Sequence, residues 1–162
     1  MKLTILLLLL IFYISVAAQT KQGEYASNII TTTVNNHPFN LHELKGKYVL
    51  LDFWGTWCVP CIIEIPDIRK LNNMYRRKGL VIVSIAYDTK KSYPKLLSTI
   101  KKKQMTWTQI FDDQEGDHSI TTLYHISSYP TQVLIGPSGK IILISEYTDL
   151  EKLKAKLRHV FK

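Results

Sequence analysis

The hydrophobic positions of this chain fall into short continuous runs and into stretches of helical periodicity. Residues 48–54 (YVLLDFW) and 80–86 (LVIVSIA) are nearly continuous apolar runs, typical of strands buried on both faces of a sheet. Between them, four apolar residues recur at helical spacing: Ile65, Ile68, Leu71 and Tyr75. They predict a helix over 59–77, which Gly79 ends. This order predicts two parallel strands joined by a right-handed helical crossover.

Weaker patterns predict the remaining elements of a single α/β domain. We expect helices over 91–104, 119–124 and 150–161, and strands over 106–111, 131–135 and 140–145. The residues between the last two strands, Gly-Pro-Ser-Gly at 136–139, form turns readily. The last two strands are therefore predicted to form an antiparallel hairpin.

The first residues have the pattern of an export signal. A basic start at Met1-Lys2 precedes the apolar run 3–16, and the small residues Ala17 and Ala18 follow it. The run is shorter than the ~20 residues that comfortably span a bilayer. We therefore expect a signal peptide at 1–18 and one domain at 19–162, with an uncleaved leader that anchors the chain as the open alternative. The predicted location is extracytoplasmic, with the bacterial periplasm favoured.

The charge of the chain suggests no nucleic-acid partner. The formal net charge is +8, but basic residues occur in runs of no more than three, Lys101–Lys103 among them. A solvated helix end explains such a run better than a nucleic-acid surface does. An acidic partner or an anionic membrane surface remains compatible with the positive balance.

The two cysteines, Cys58 and Cys61, are separated by two residues. A disulfide between them closes a ring of four residues, which the loop-entropy model credits with only about 2 kcal/mol of stabilisation. A structural zinc site usually takes four Cys or His ligands, and the chain has no second cysteine pair and no H-x3-H pattern among its five histidines. We therefore expect no metal site and favour redox chemistry at this pair.

The pair lies where the first long strand is predicted to turn into the helix. Unpaired backbone N–H groups at a helix start favour an anion, and cysteines of C-x-x-C motifs there have pKa values lowered to roughly 3.5–7.5. Cys58 is predicted to project from the turn as the nucleophile. Cys61, one turn further along and more shielded, is predicted to resolve the mixed disulfide. Pro60 is tolerated in the first turn, and no organic cofactor is needed.

Residues 54–61 (WGTWCVPC) resemble the thioredoxin superfamily, and more narrowly its exported TlpA/ResA-like thiol-disulfide oxidoreductases. Residues 40–47, 62–66 and 124–131 are similar to flanking segments of that branch. The resemblance implies a thioredoxin-like fold, a central mixed sheet flanked by helices, with an N-terminal extension and a central insertion that contains the strand at 106–111. It also implies a cis bond before Pro130, and an interior proline such as Pro66 is expected to bend its helix.

The same resemblance implies roles for residues around the cysteines. Asp52 is similar in position to the buried acid of thioredoxins, and burial would raise its pKa as suits a proton acceptor for Cys61. Glu64, three residues after Cys61, looks like the active-site acid of the branch. The alternatives are a solvent-facing acid at a strand end and an ordinary surface glutamate. The residues expected to contact substrate are Trp57, Val59, Pro60, Tyr129, Pro130 and Thr131.

These features predict an extracytoplasmic thiol-disulfide oxidoreductase that exchanges its Cys58–Cys61 couple with client proteins. The resemblance implies a reductant, with apocytochrome c among its clients and a membrane-bound electron donor. Dithiol oxidation or disulfide isomerisation is the alternative within the same chemistry. A non-catalytic thioredoxin-fold module that binds proteins or carries a soft metal ion is the rival from another class.

Overall fold

The computed structural model describes residues 20–114, 118–147 and 149–162, so the leader predicted at 1–18 lies outside the described residues. The strands in these ranges are β1 Ile30–Thr32, β2 Pro38–Asn40, β3 Tyr48–Trp54, β4 Leu80–Asp88, β5 Thr108–Asp113, β6 Thr131–Ile135 and β7 Ile141–Glu146. The α-helices are α1 Val59–Tyr75, α2 Tyr93–Lys102, α3 Ile120–Leu123 and α4 Leu150–Val160.

Five strands form one mixed sheet in the order β5-β4-β3-β6-β7. The pairs β3–β4 and β4–β5 are parallel, whereas β3–β6 and β6–β7 are antiparallel. The strand β3 therefore occupies the centre, and its apolar run is buried on both faces as expected of such a position. The chain leaves β3 directly toward α1, which places the two cysteines at the end of the central strand.

The two faces of the sheet carry separate apolar clusters. Leu50 and Trp54 of β3 face the layer that contains α1 and α4. Leu153 and Leu157 of α4 are fully buried in this cluster. Alternate residues of β3, Leu51 and Phe53 among them, face the other way. The period-2 alternation of strand side chains explains this division.

The second face is covered by the N-terminal extension together with α3. Backbone bonds join the extension to both edges of the sheet: Ala26 N–H donates to the carbonyl of Gly139, and Val34 N–H donates to the carbonyl of Gln109 in β5. Ile29 is buried in the cluster of this face. The extension thus completes the core rather than trailing from it.

The predicted fold class is confirmed; the sequence patterns missed β1 and β2, and the other differences concern the boundaries of elements. The helix expected over 59–77 ends at Tyr75 and continues as a 3-10 turn to Lys78, after which Gly79 adopts a φ of 103°. The strand expected over 106–111 begins two residues later, at Thr108, and α2 begins at Tyr93 rather than at residue 91. The helix α1 continues through Pro66, whose bending effect remains a prediction. Among the described residues, no helix is long and apolar enough to cross a membrane.

Candidate active site

Cys58 and Cys61 form a disulfide at the start of α1, with their Cα atoms 5.3 Å apart. Cys58 is the N-cap residue of the helix, and its Sγ accepts a hydrogen bond from the backbone N–H of Cys61 at 3.2 Å. Pro60 lies in the first turn, where a missing N–H removes no helical bond. The sulfur of Cys58 therefore occupies the position in which the helix start stabilises negative charge.

The expected contrast in exposure between the two cysteines is wrong for this disulfide form. Cys58 is 4% exposed and Cys61 is 3% exposed. The reason is local: the Sγ of Cys58 turns inward to cap α1 and to bond Cys61, instead of projecting from the turn.

Three aromatic rings form a cluster beside Cys58: Trp57, Tyr129 and Tyr87 contact one another. Trp57, which directly precedes Cys58, is 51% exposed, and its Nε1 donates to the carbonyl of Tyr87 at 2.9 Å. Its ring meets Tyr129 edge-on with centroids 5.2 Å apart, and Tyr129 stacks on Tyr87 at 5.9 Å. Such pairs add attraction beyond the burial of area, so the three rings hold one another in place.

The remaining residues predicted to contact substrate differ in accessibility. Val59 is 68% exposed and Pro60 is partly exposed, whereas Pro130 and Thr131 are buried. The bond between Tyr129 and Pro130 is cis, as the resemblance implied. Thr131 directs its hydroxyl to the carbonyl of Ser128 at 2.8 Å, so this side chain supports the loop from within.

Asp52 is buried in the centre of the sheet, with 5% of its surface exposed. Its Oδ2 accepts a hydrogen bond from the Ser84 hydroxyl at 2.7 Å, and its Oδ1 lies 3.4 Å from Nε2 of Gln132. Burial raises the pKa of Asp52 from 3.8 to about 6, against the opposing effect of these two hydrogen bonds. The solvent-facing alternative for this acid is therefore wrong.

Glu64 lies on α1, one turn after Cys61, and is partly buried. Its Oε2 accepts a hydrogen bond from Nε2 of Gln132 at 3.2 Å. Burial is the largest cause that raises the pKa of Glu64 from 4.5 to about 7, and the charge of Asp52 raises it further. The alternative of an ordinary surface glutamate does not fit this environment.

A buried clamp fixes the loop that leads into Cys58. The carboxylate of Asp88, at the end of β4, accepts bonds from the backbone N–H of Thr56 at 3.0 Å and from its hydroxyl at 2.9 Å. Lys95 of α2 donates to the carbonyl of Thr56 at 2.9 Å. These bonds, the clamp, tie Thr56 to the end of β4 and to α2.

Sequence reasoning missed Gln132, Ser84 and Asp88, although the strands carry a signal for the first two. The run LVIVSIA contains one polar residue, Ser84, among apolar neighbours, as YVLLDFW contains Asp52, whereas TQVLI begins with two polar residues, Thr131 and Gln132. In the sheet, Ser84 and Gln132 lie directly opposite Asp52 on its two sides. Alignment of the one polar residue in each of the first two runs would have predicted the contact of Asp52 with Ser84, whereas the choice between Thr131 and Gln132 depends on the register of β6.

Comparison with known proteins identifies the family. Residues 22–144 match the AhpC/TSA family. The chain belongs to this family. Within the AhpC/TSA family, it is 34% identical over 140 residues to the thiol-disulfide oxidoreductase ResA of Bacillus cereus, covering 85% of this chain and 78% of that protein. It is 30% identical over 132 residues to ResA of Bacillus subtilis, with 82% and 71% covered.

A solved structure supports the same assignment for this AhpC/TSA protein. The thioredoxin domain of a thiol-disulfide oxidoreductase from Bacteroides vulgatus superposes with a TM-score of 0.71 at 27% identity, covering 85% of this chain and 97% of that one. The protein is thus a thioredoxin-like thiol-disulfide oxidoreductase of the ResA type with a disulfide-bonded cysteine pair. Proteins that carry thiols or disulfides are its class of clients.

Proposed function

We propose that this protein is an extracytoplasmic reductant of protein disulfides in which Cys58 is the nucleophile and Cys61 the resolving thiol. The observation that carries the proposal is the position of the Cys58 sulfur at the N-cap of α1, 3.2 Å from the N–H of Cys61. When the couple is reduced, the same N–H groups would stabilise a thiolate on Cys58 and lower its pKa.

The reaction transfers two electrons to the client. The Cys58 thiolate attacks one sulfur of a client disulfide, forms a mixed disulfide and releases the other client sulfur as a thiolate. Cys61 then loses its proton and attacks the Cys58 sulfur. The Cys58–Cys61 disulfide forms and the second client thiol leaves, so the client is reduced and the protein is oxidised.

The two acids are proposed to move the protons of this exchange. The pKa values of Asp52 and Glu64 are raised to about 6 and about 7. A proton acceptor works best when its pKa lies near the operating pH, so both acids suit the deprotonation of Cys61 near neutral pH. Glu64 is on the helix that carries Cys61, and Asp52 is two residues before the end of β3. We assign both acids a catalytic role because they are buried or partly buried, and neither carboxyl has a counter-ion within hydrogen-bond distance among the described residues.

The client is proposed to bind over the cluster of aromatic rings beside Cys58. Trp57 and Val59, which are exposed, and Pro60 would contact the side chains of the client. The backbone at Tyr129, followed by the cis bond to Pro130 and by Thr131, would pair with an extended segment of the client. Apocytochrome c, whose haem-attachment cysteines need to be reduced, is the client that the resemblance suggests.

The location and electron supply extend the proposal. The leader at 1–18 would export the domain at 19–162 to the periplasm, as a soluble or tethered protein, and a membrane-bound donor would return the couple to the dithiol state. The rival role as a soft-metal carrier would depend on the Cys58 and Cys61 thiols alone, since the described residues contain no group of three or more His, Cys, Asp or Glu able to hold a metal ion. The relatives are oxidoreductases by name.

A trapping experiment tests the assignment of the two cysteines. In Cys61→Ser, the resolving step is blocked, so clients should accumulate as mixed disulfides on Cys58. Dithiothreitol should reduce these disulfides and release the clients. Cys58→Ser, which keeps the other thiol, is the matched control and should trap far fewer. Equal trapping by the two variants would contradict the assigned roles.

The direction of electron flow is decided by the potential of the couple. For a two-electron exchange, about 30 mV corresponds to 1.4 kcal/mol, so equilibration with glutathione locates the couple sharply. A potential near that of thioredoxin supports the reductant. A potential close to that of strong dithiol oxidants would replace it with oxidation or isomerisation.

A further inference from the structure

A row of buried polar residues crosses the entire five-stranded sheet. Its members lie directly opposite one another on neighbouring strands and face the α1 and α4 layer: Gln109, Ser84, Asp52, Gln132 and Ser145. All five are 5% exposed or less. Buried polar side chains are costly without partners, so the bonds of Ser84, Asp52 and Gln132 indicate what these three members do, whereas Oγ of Ser145 has no partner among the described residues.

The two oxygens of Asp52 accept hydrogen bonds from different neighbours. The indole N–H of Trp107 donates to the Ser84 oxygen at 2.7 Å, so the proton of Ser84 is free to go to Oδ2 of Asp52, also at 2.7 Å. That oxygen accepts the Ser84 hydroxyl. Oδ1 is the oxygen on the Gln132 side.

Gln132 lies between the two acids. Its Nε2 is 3.4 Å from Oδ1 of Asp52 and 3.2 Å from Oε2 of Glu64. A carboxylate only accepts hydrogen bonds, so the end of the amide that faces the two carboxylates is the NH2 group, which has one N–H for each of them. Only 2% of Gln132 is exposed, so water does not readily replace it.

We propose that Gln132 is a positioning residue that joins Asp52 and Glu64 into one pair by donating one N–H to each carboxylate, which stabilises the ionised form of both. The inference rests on the proposed function, in which these acids accept protons during exchange. Without the two N–H donors, the negative charges would face each other across an apolar gap, and the acids would hold their protons to higher pH.

The other groups around the pair do not substitute for this amide. Asp67 of α1 adds negative charge near Glu64, and Lys154 of α4 opposes it from a distance while bonded to Asp67 and Glu151. Ser84 serves only the far oxygen of Asp52. Gln132 is therefore the donor shared by both carboxylates among the described residues.

The row itself supplies a matched control. Gln109 is also a buried glutamine, on β5, but its Nε2 donates to the carbonyl of Trp107 at 3.3 Å and its Oε1 has no partner among the described residues. The substitutions Gln132→Met and Gln109→Met remove the same amide from the same row. Only the first removes donors from the acids.

The direct measurement is a carbon-13 NMR titration of the Asp52 and Glu64 carboxyls in the reduced protein. In Gln132→Met, both pKa values should rise by about one unit, because each carboxylate loses a hydrogen bond that favours its charged form. In Gln109→Met, they should stay where they are in the unaltered protein. Unchanged values in Gln132→Met, or equal shifts in both variants, would overturn the proposal. If Gln132→Met does not fold, Gln132→Asn, which withdraws the amide by one methylene, should raise both values.

A second readout separates this inference from the proposed function. The pH profile of disulfide exchange should move to higher pH by the same amount in Gln132→Met and recover its full rate in alkaline buffer, which a merely structural defect would not do. Raised carboxyl pKa values with an unchanged pH profile would support the positioning role of Gln132 and contradict the role of the acids as proton acceptors. Unchanged carboxyl pKa values would contradict the role of Gln132, whatever the pH profile shows.

Discussion

At the scale of single residues, the cost of burying an acid is concentrated at Asp52. Its carboxyl is 5% exposed and has hydrogen bonds but no counter-ion among the described residues. Folded chains therefore keep the proton of Asp52 up to about pH 6, whereas unfolded chains release it near the ordinary pKa of 3.8. Between these values the native state binds more protons, so this group makes stability fall as pH rises.

We expect Asp52→Asn to be more stable than the unaltered protein at pH 8 and similar to it at pH 4. A pKa raised by about two units corresponds to a gain of about 3 kcal/mol at the higher pH. Urea unfolding of the reduced proteins at both pH values measures it. Asp112→Asn is the control, because that carboxylate accepts bonds from two backbone N–H groups of α3 and should lose stability at both. Equal stability changes for Asp52→Asn at pH 4 and pH 8 would contradict the burial argument.

At the scale of elements, the strand-to-helix turn at the cysteines is held from the sheet side. Asp88 ends β4, and its two bonds to Thr56 place the loop before α1. Predicting this from sequence was not feasible, since the run LVIVSIA indicates a strand only to residue 86 and Asp88 resembles an ordinary turn acid. The contact arises only because parallel pairing brings the ends of β3 and β4 together.

We expect Thr56→Val to slow disulfide exchange and to lower stability by about 1–3 kcal/mol, because it removes the hydroxyl donor from a buried carboxylate and retains the shape of the side chain. Insulin reduction and urea unfolding measure the two effects. Thr99→Val, which removes an exposed hydroxyl bonded to the carbonyl of Lys95 within α2, should change neither by much. Similar losses in both variants would show that the clamp does not position the loop.

At the scale of the whole molecule, the sequence predicts the fold better than the site. The central βαβ unit follows from its apolar runs, and the final hairpin from its turn residues, because both signals are local. The pairing of Asp52 with Ser84 and Gln132 depends on the register of three strands that are distant in sequence. The inward position of the Cys58 sulfur also escaped prediction, since it depends on the closed disulfide rather than on helix placement alone.

The N-terminal extension provides a test of the molecule as one cooperative unit. Ile29 is 2% exposed and packs in the cluster that includes Leu51 and Phe53 of the central strand, whereas its neighbour Ile30 is 77% exposed. Ile29→Ala should therefore lower the free energy of unfolding by about 2–5 kcal/mol. Ile30→Ala should change it by less than about 0.5 kcal/mol.

Both variants are expected to keep the exchange rate of the unaltered protein at temperatures where they are folded, because the cluster lies on the face of the sheet opposite α1. Urea unfolding followed by fluorescence, together with insulin reduction, measures stability and rate separately. A loss with Ile29→Ala no larger than with Ile30→Ala would mean that the extension folds independently of the sheet. A single transition with the larger loss means that the covering of the second face and the positioning of the cysteines belong to the same folding unit.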